Sequence, residues 1–358
     1  MKIIVYPQGE NPYQELLYNP LRNKGHDIHY YNIQIFGKNN LPLLFPLIIY
    51  RLKGYNIFHL HWISPFVFPK KNRFFETIML CYFVLFVSFL KLIRYRVVWT
   101  LHNLCPHDKN FKFYLIAEKI VSYLCNAKIV HSKNTVKEMQ KLGFNIRNTY
   151  VISIGNYIGV YKNNITKESA RKYFEFNEND FIFLFFGRIE PYKGVENLLE
   201  VFQKITKKRK NIKLLIAGKC DNKYLKKLLS NYKNIFKDDV KICTNFIEDN
   251  KVQYYFNSAN VAVYPFKKIT TSSTVILALS FRKPVICPEM GDLKELPSNI
   301  GIFYNPKNKR GLLNCMEKAI AEKFELSKLG KRAFKYAKSL DWNRIAEKTI
   351  HVYNEVLK

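Results

Sequence analysis

Short apolar runs alternate with amphipathic stretches along the whole chain. The early runs are "KIIVYP" (2–7), "NIFHLHW" (56–62), "RVVWTLHN" (96–103) and "AKIVHS" (127–132). Between the first two lies the helical pattern "YQELLYNPLRNKG" (13–25), which closes on a glycine. Strands that alternate with helices are typical of βαβ units built on parallel sheets. The runs from 56 onward have polar residues at their C-terminal ends, and ligands bind at the carboxyl end of such sheets.

A second series of the same kind follows a polar segment at 160–180, which we interpret as the link between two domains. Its runs are "FIFLFF" (181–186), "IKLLIAGK" (212–219), "VKICTNF" (240–246), "ANVAVYPF" (259–266), "PVICPEMG" (284–291) and "GIFYNP" (301–306). The pattern predicts two Rossmann-like domains, at 1–160 and 161–340. A final helix at 341–358, with Asp341 as its N-cap, is predicted to pack back toward the N-terminal domain.

Length and composition agree with two domains. The chain has 358 residues, of which 48% are hydrophobic, and this exceeds the usual size of one core. Its 7 cysteines form no CxxC pair, a pattern that fits neither a disulfide framework nor a zinc site and predicts a reducing cytosol. The N-terminal "MKIIVYPQGE" lacks the apolar core of a signal peptide, so we expect a cytoplasmic protein.

The net charge of +30 has more than one interpretation. It fits nucleic acid, an anionic membrane surface or polyanionic substrates as partners, and it also fits a plain compositional bias toward lysine. No nucleic-acid-binding module accompanies the charge, so no nucleic-acid partner is expected.

One apolar stretch, 77–90, also has two interpretations. It is shorter than the roughly 20 residues that a spanning helix needs, so a buried helix fits. A helix that lies on an anionic bilayer fits equally well, because basic residues flank the stretch on both sides. These residues are Lys70, Lys71, Arg73, Lys91, Arg94 and Arg96. On the second interpretation the protein is peripheral on the inner face of the cell membrane.

The segment "FFGRIEPYKGVENLLEVF" (185–202) is the most informative in chemical terms. A strand ends at Gly187, and Arg188 and Lys193 then bracket a turn that leads to a helix beginning near Gly194. Two cations beside a helix N-terminus suit a diphosphate, because helix-start N–H groups and basic side chains both bind phosphate oxygens.

At this point the sequence resembles the family-4-type glycosyltransferases of the GT-B fold. The likeness continues through Gly218 in "IAGK", "FIEDNKVQYYFNSANVAVYPF" (246–266), "RKPVICPEMGDLKEL" (282–296) and "WNRIAEKTIHVYNEVL" (342–357), and through the N-terminal "FHLHW", "TLHN" and "IVHSKNTVKEM".

The resemblance implies an α/β protein whose two Rossmann-like domains face each other across a cleft. It implies a nucleotide-diphosphate sugar as donor, with a UDP-sugar favoured and a GDP-sugar as the alternative, and no cofactor. No Asp-x-Asp metal motif occurs, so Arg188 and Lys193 would replace a divalent cation.

Within this resemblance the hydroxyl run "TTSST" (270–274) begins a helix at 274–281 and contacts the donor diphosphate through Ser272, Ser273 and Thr274. The family's E-x7-E pattern is absent, since Ile269 and Leu277 stand at the places of its two glutamates. Glu295, in "GDLKEL", is the candidate to take over a donor contact. The nucleobase is expected near Phe246 and Ile247.

In the N-terminal domain the candidates are His61, His102 and Asp108. A single histidine at a strand end is more often structural, but several at successive strand ends of one sheet indicate a shared site. By resemblance His102 matches the "T-x-H" histidine that faces the donor sugar. An inverting reaction needs a base to deprotonate the acceptor hydroxyl, and Asp108 is the first candidate for it, followed by His61.

These features predict a hexosyltransferase that moves a sugar from a nucleotide-sugar to a lipid-linked or oligosaccharide acceptor in surface-glycan assembly. The alternative is a noncatalytic GT-B-like protein that binds a glycan or a membrane, which the missing carboxylates favour.

Overall fold

A computed structural model describes residues 1–9, 11–32, 34–35, 41–66, 73–104 and 111–358. The chain divides into two units. The first unit contains Met1–Gly155 and Asp341–Lys358, and the second contains Asn156–Leu340. Each unit is an α/β structure with its own parallel sheet.

The first unit is built on a six-stranded parallel sheet. Its strands are β1 (Lys2–Tyr6), β2 (Asp27–Tyr30), β5 (Ile57–Leu60), β6 (Arg96–Thr100), β7 (Ala127–Val130) and β8 (Thr149–Val151), in the order β2-β1-β5-β6-β7-β8. A short antiparallel pair, β3 (Gln34–Ile35) and β4 (Leu41–Pro42), lies outside this sheet. The strand order reverses between β1 and β5, and such a switch point opens a crevice at the carboxyl ends of the strands.

The helices of the first unit cover both faces of its sheet. They are α1 (Tyr13–Asn23), α2 (Phe45–Leu52), α3 (Arg73–Leu92), α4 (Phe111–Leu124), α5 (Lys133–Lys141) and, from the end of the chain, α13 (Trp342–Leu357). Side chains alternate along each strand, so one set packs against α3 and the other against α1 and α13. Asp341 caps α13 by accepting a hydrogen bond from Arg344 N, as the sequence predicted.

The second unit has a sheet in the Rossmann order. Its strands are β9 (Phe181–Phe186), β10 (Ile212–Ala217), β11 (Val240–Cys243), β12 (Val261–Val263), β13 (Val285–Pro288) and β14 (Gly301–Tyr304), in the order β11-β10-β9-β12-β13-β14. Its helices are α6 (Lys167–Tyr173), α7 (Val195–Thr206), α8 (Lys223–Phe236), α9 (Val252–Ser258), α10 (Ser273–Ser280), α11 (Gly311–Ala321) and α12 (Glu325–Ser339). The polar segment 160–180 lies in this unit, where Thr166 caps α6.

The predicted fold class is confirmed in both units, since each contains a parallel sheet flanked by helices. In the second unit the order reverses between β9 and β12. The crevice at the carboxyl ends of these two strands is therefore the place where the Rossmann topology puts a ligand.

Candidate functional site

In the second unit the turn after β9 lies against the start of α10. Gly187 has φ +122°, and a Cβ built on it would lie 2.6 Å from Thr274 Cγ2 and 3.3 Å from Lys193 Nζ. Glycine is the residue that adopts this backbone conformation without steric cost. The turn therefore brings the lysine ammonium and the first turn of α10 to the same point at the end of β9.

Lys193 ends a single 3-10 turn, Pro191–Lys193, that precedes α7. The next residue, Gly194, has φ +72°, and a Cβ there would lie 2.1 Å from the Pro265 carbonyl oxygen. This contact fixes the turn against the loop that follows β12. The Lys193 side chain is held between them, with only 7% of the residue exposed.

Burial lowers the pKa of Lys193 to about 8, against the opposing effect of the Glu190 carboxylate. Within the described part of the chain its ammonium forms no ion pair. A largely buried cation that lacks an ion-pair partner is stabilised by an anion that binds beside it.

Arg188, the other predicted phosphate ligand, is exposed and already paired. Its Nε donates to Glu190 Oε1 at 2.8 Å and its Nη2 donates to Asp221 Oδ2 at 2.8 Å. Sequence reasoning missed Asp221, which follows β10 and is brought to Arg188 by strand pairing. Gly218 lies at the same point, because a Cβ on it would contact the Gly187 carbonyl oxygen at 2.1 Å.

The hydroxyl run has several structural roles. Ser272 is the N-cap of α10: its Oγ accepts from Val275 N and lies 3.0 Å from Thr274 Oγ1. Thr271 donates to the carboxylate of Asp292, and Asp292 N donates to Thr270 O at 2.7 Å. These contacts hold the loop against the 3-10 segment Gly291–Glu295. The observed start of α10, Ser273, is one residue before the predicted start.

The remaining donor-site candidates differ in their exposure. Phe246 is 72% exposed just after β11, whereas Ile247 beside it is buried. Glu295 is exposed; burial raises the pKa of Tyr336 on α12, and the charge of Glu295 adds to this. Leu277 is buried within α10, with 6% of the residue exposed.

In the first unit, His61 and His102 belong to a chain of hydrogen-bonded histidines. His131 Nδ1 lies 2.9 Å from Ile152 O, and its Nε2 lies 3.3 Å from His102 Nδ1. His102 Nε2 lies 3.1 Å from His61 Nδ1, and His61 Nε2 lies 2.7 Å from the Tyr18 hydroxyl. We call this arrangement, which runs from His131 to Tyr18, the histidine relay.

The direction of the relay follows from its end at the Ile152 carbonyl. A carbonyl oxygen only accepts, so His131 Nδ1 carries hydrogen and its Nε2 accepts when the ring is neutral. His102 then donates from Nδ1 to His131, and His61 donates from Nδ1 to His102. Tyr18 donates its hydroxyl to His61 Nε2. Every ring nitrogen in the relay is therefore used within the protein.

Burial favours the neutral form of the His59, His61 and His102 rings. It lowers the pKa of His61 and of His102 well below the usual value, and neighbouring histidines add to the effect. His59, stacked on His61 with centroids 4.2 Å apart, has its pKa lowered to about 3 by burial. Its Nδ1 is bonded to the hydroxyls of Tyr18 and Tyr353, and its Nε2 to that of Thr100.

Trp62 lies at the exposed end of this cluster. Its ring stacks on His102 at a centroid distance of 4.5 Å and an interplanar angle of 19°. A Cβ on Gly9, in the loop after β1, would contact the indole at 2.6 Å. A cavity of about 10 Å³, enough for one water molecule, lies beside these rings with Asn103, Tyr114 and Glu118 in its lining.

Asp108, the first candidate base, and the neighbouring His107 lie outside the described residues. Sequence reasoning identified His61 and His102 but missed His59, His131 and Trp62. The signal was present: His59 is on β5 and His61 follows that strand by one residue, and His131 directly follows β7, which is two strands from β5 in the sheet. Among the described residues, no group of three or more His, Cys, Asp or Glu side chains is arranged to hold a metal ion.

Helix α3 exposes an uncharged stripe to solvent. Its opposite face is buried in the core through Met79, Phe83, Phe86, Val87 and Leu90. The exposed stripe contains Phe74, Ile78, Cys81, Leu85 and Leu92, which fall within about 60° of one another at 100° per residue. The segment Phe74–Leu92 is long and apolar enough to cross a membrane by length and composition alone. Of its most hydrophobic 18-residue window, 28% is buried inside the protein.

Comparison with known proteins relates this chain to glycosyltransferases. Residues 166–338 match the model of the family Glycosyl transferases group 1. The GDP-mannose:glycolipid 4-beta-D-mannosyltransferase of Xanthomonas campestris is 24% identical over 319 residues, which cover 86% of this chain and 81% of that protein.

Two solved structures share the fold over nearly the whole chain. Sucrose-phosphate synthase from Thermosynechococcus elongatus has a TM-score of 0.77 at 16% identity, with 99% of this chain and 98% of that chain covered. The fold is that of the GT-B glycosyltransferases. Anabaena Alr3699/HepE, solved in complex with UDP-glucose, has a TM-score of 0.76 at 15% identity and is covered over its full length by 99% of this chain. Together the family match, the relatives and the fold support a GT-B glycosyltransferase.

Proposed function

We propose that this protein is a family-4-type hexosyltransferase that moves a sugar from a nucleotide-diphosphate sugar to a lipid-linked or oligosaccharide acceptor in surface-glycan synthesis. The observation that carries the proposal is the position of Lys193. A cation that is 93% buried lies at the switch point of a Rossmann sheet, beside the first turn of α10. The leaving diphosphate of a sugar donor is the anion that fits such a place.

The second unit would stabilise the departing diphosphate by charge and by backbone donors. Lys193 is fixed before the ligand arrives, so little reorganisation accompanies its interaction with phosphate. The free N–H groups at the start of α10 point in the direction in which an anion binds best. Arg188 would move from its carboxylate partners to the phosphate, as a solvent-exposed side chain is able to do.

We further propose that Arg188 and Lys193 take the place of a divalent cation, so that transfer needs no added metal. In this scheme Thr274 contributes its hydroxyl to a phosphate oxygen, and Glu295 contacts the sugar or the ribose. The absence of carboxylates at Ile269 and Leu277 shifts recognition from the ribose toward the diphosphate.

Two donors remain candidates. UDP is favoured by the UDP-glucose complex of the structural neighbour, and GDP by the mannosyltransferase relative. Phe246, exposed at the end of β11, is the aromatic surface on which either base would stack.

The first unit would bind the acceptor. The relay occupies both ring nitrogens of His61 and of His102, so in this arrangement these residues orient Trp62 rather than exchange protons with substrate. Trp62 offers an aromatic face to a sugar ring. The general base of an inverting reaction would then be Asp108.

We also propose that the protein is peripheral on the inner face of the cell membrane. Helix α2 also exposes apolar side chains, Phe45, Ile49 and Leu52, which recur at helical spacing. Arg51 of α2 donates to the Ile93 carbonyl directly after α3, so the two helices are neighbours. Exposed apolar rows with basic neighbours are typical of helices that lie on anionic bilayers.

Calorimetry with UDP and GDP, followed by nucleotide release from UDP- and GDP-sugars with a lipid-linked acceptor, tests the proposal. We expect one nucleoside diphosphate to bind and the matching sugar donor to turn over, also in the presence of a chelator. Binding without turnover of any donor would favour the noncatalytic alternative. A protein that binds neither nucleoside diphosphate would contradict the proposed donor site.

A further inference from the structure

The second unit contains a pocket that the proposed function does not use. Its volume is about 610 Å³, which is within the usual range for small-molecule sites. It lies at the carboxyl end of α10, between the segment 157–167 and Phe334 in the second half of α12. The lining residues that bear on its chemistry are Tyr157, Tyr161, Asn163, Lys167, Asn257, Arg282, Lys283 and Phe334.

The charged residues in the lining are all basic. They are Lys167, Arg282 and Lys283, and no Asp or Glu lines the pocket. In the part of the chain that the structure describes, none of the three forms an ion pair with a carboxylate. Lys283 Nζ donates one hydrogen bond, to Ala259 O at 3.0 Å. Arg282 is exposed, and its guanidinium lies over the Phe334 ring at 4.5 Å.

Lys167 and Lys283 lie close enough for their charges to interact. Burial, with the charges of Lys167 and Arg171 added, lowers the pKa of Lys283 to about 7. Lys167 in turn has its pKa lowered by burial and by Arg171, although the carboxylates of Glu168 and Glu178 oppose this. An anion in the pocket would relieve this repulsion.

The wall opposite the cations is held in place by hydrogen bonds. Tyr157 N donates to Ser280 Oγ at 3.0 Å, and Asn257 Nδ2 donates to Asn163 Oδ1 at 2.8 Å. Asn164 N donates to Gln253 Oε1 at 3.0 Å. The segment 157–164 is therefore fixed on α9 and α10, and the pocket is formed before any ligand binds.

We propose that this pocket binds a phosphate monoester, with Lys167, Arg282 and Lys283 around the phosphate and the aromatic and amide side chains around the organic group. Arg and Lys are the side chains that bind phosphate most strongly. Tyr157, Tyr161 and Phe334 offer ring surfaces, and Asn163 and Asn257 offer amide groups to hydroxyls. The pocket is separate from the donor crevice, because the two lie at opposite ends of α10, which is roughly 12 Å long for its 8 residues.

Arg282 can be replaced in a way that removes a cation from the pocket without destabilising the fold. Its φ is +58°, a left-handed conformation that favours glycine, so Arg282→Gly removes the guanidinium and relieves the backbone. Combined with Lys167→Gln it removes two of the three cations. Lys172→Gln is the matched control, because Lys172 is exposed on the same helix α6 as Lys167 but does not line the pocket.

The experiment measures binding of inorganic phosphate and of mannose 1-phosphate by calorimetry, with and without saturating nucleoside diphosphate. We expect saturable binding that nucleoside diphosphate does not displace. It should be at least about tenfold weaker in the double variant and unchanged in the control. A melting temperature of the double variant at or above that of the wild type would show that the fold is intact.

A second arm uses vesicles of phosphatidic acid in phosphatidylcholine. Loss of vesicle binding in the double variant, with no binding of soluble phosphates, would assign the phosphate to a lipid headgroup. Binding of soluble phosphates would assign it to a free phosphate ester. The proposal is overturned if neither probe distinguishes the double variant from the wild type, or if nucleoside diphosphate abolishes phosphate binding.

Discussion

Arg188 and Asp221 form an ion pair in which Nη2 lies 2.8 Å from Oδ2, and this pair competes with the proposed role of Arg188. The guanidinium is bonded to Glu190 at the same time. Exposed ion pairs contribute on the order of 1 kcal/mol or less, so a doubly charged diphosphate is able to displace them. If Arg188 binds the donor as proposed, Asp221 would both hold it in place and lower its affinity for the donor.

Replacing Asp221 should thus strengthen donor binding. We expect Asp221→Asn to raise the affinity for nucleoside diphosphate about threefold, because it removes a competing charge, whereas Arg188→Ala should lower turnover on the order of 100-fold. Asp238→Asn is the control, since Asp238 is an exposed carboxylate of the same unit. Calorimetry and nucleotide release are the measurements. An Arg188→Ala variant that is folded and turns over normally would show that the diphosphate binds elsewhere.

Lys193 makes donor binding depend on pH. Its pKa in the free protein is about 8, and a bound diphosphate raises this pKa because it stabilises the ammonium. Below pH 8 the charged form is already present, so affinity is constant. Above pH 8 binding must take up a proton, and the dissociation constant should rise by up to about tenfold per pH unit.

Measured affinity between pH 6.5 and pH 9.5 tests this dependence. Lys193→Met keeps the length of the buried side chain and cannot titrate, so its weaker binding should not vary over the same range. A wild-type affinity that stays flat to pH 9.5 would mean that Lys193 does not contact the phosphate.

Much of the second unit followed from local patterns. The strand that ends at Gly187 and the helix that starts near Gly194 were predicted, because buried strands and turn glycines leave signals within a few residues. Lys193 was predicted as a ligand, but its burial was not. Burial depends on the loop that follows β12, and no local pattern specifies how that loop packs against the turn.

Contacts between distant residues explain what the sequence left open. Strand pairing brings His61, His102 and His131 together, and helix α1 adds Tyr18. Each of these residues alone looks like an ordinary core or strand-end residue. Arg282 lies in a left-handed conformation that its residue type does not indicate. The apolar stretch 77–90 is part of a helix with one face buried and one exposed. Contact of the exposed face with an anionic bilayer stays a prediction.

The hydroxyl of Thr274 should matter more to donor binding than that of Ser273. Thr274→Val keeps the methyl group that packs on Gly187 and removes the hydroxyl, so we expect a severalfold loss of diphosphate affinity with an unchanged melting temperature. Ser273→Ala is the control, because Ser273 is exposed and its hydroxyl is bonded to Tyr157 instead. Equal effects of the two variants would contradict a specific contact from Thr274.

Restoring a carboxylate at Leu277 should not improve activity. Leu277 is buried, and Leu277→Glu places a carboxylate without a partner among apolar side chains. Burying that charge costs about several kcal/mol, unless the pKa of the new glutamate rises and the group becomes neutral. We expect a lower melting temperature and no gain in turnover. A clear gain in turnover would mean that the side chain reaches the ribose.

Acid should destabilise the first unit through its neutral histidines. The pKa of His59 is about 3 in the folded protein and near 6.5 when unfolded, so the unfolded chain binds more protons between these values. Stability is then fully present above pH 6.5 and falls as the pH drops, by about 2 kcal/mol for this imidazole at pH 5. Urea unfolding at pH 7 and pH 5 measures this loss, which should be smaller in His59→Asn and unchanged in the control His351→Asn. If the urea midpoint of unfolding is the same at pH 7 and pH 5, burial does not lower the pKa of His59 in the folded protein.

The stripe on α3 should be required for binding to anionic vesicles. Leu85 and Leu92 are 63% and 78% exposed, and Lys91 lies between them in sequence, so an inserted helix would bury both leucines and place the ammonium near the headgroups. We expect Leu85→Gln with Leu92→Gln to abolish co-sedimentation, and Lys91→Gln to weaken it about fivefold, the equivalent of about 1 kcal/mol. Raising the salt concentration should weaken binding of the wild type.

The control is Ile235→Gln, which changes an equally exposed apolar residue in the second unit. Wild-type protein that binds neutral and anionic vesicles equally, or that stays in the supernatant with both, would remove the membrane proposal while leaving the donor site untouched.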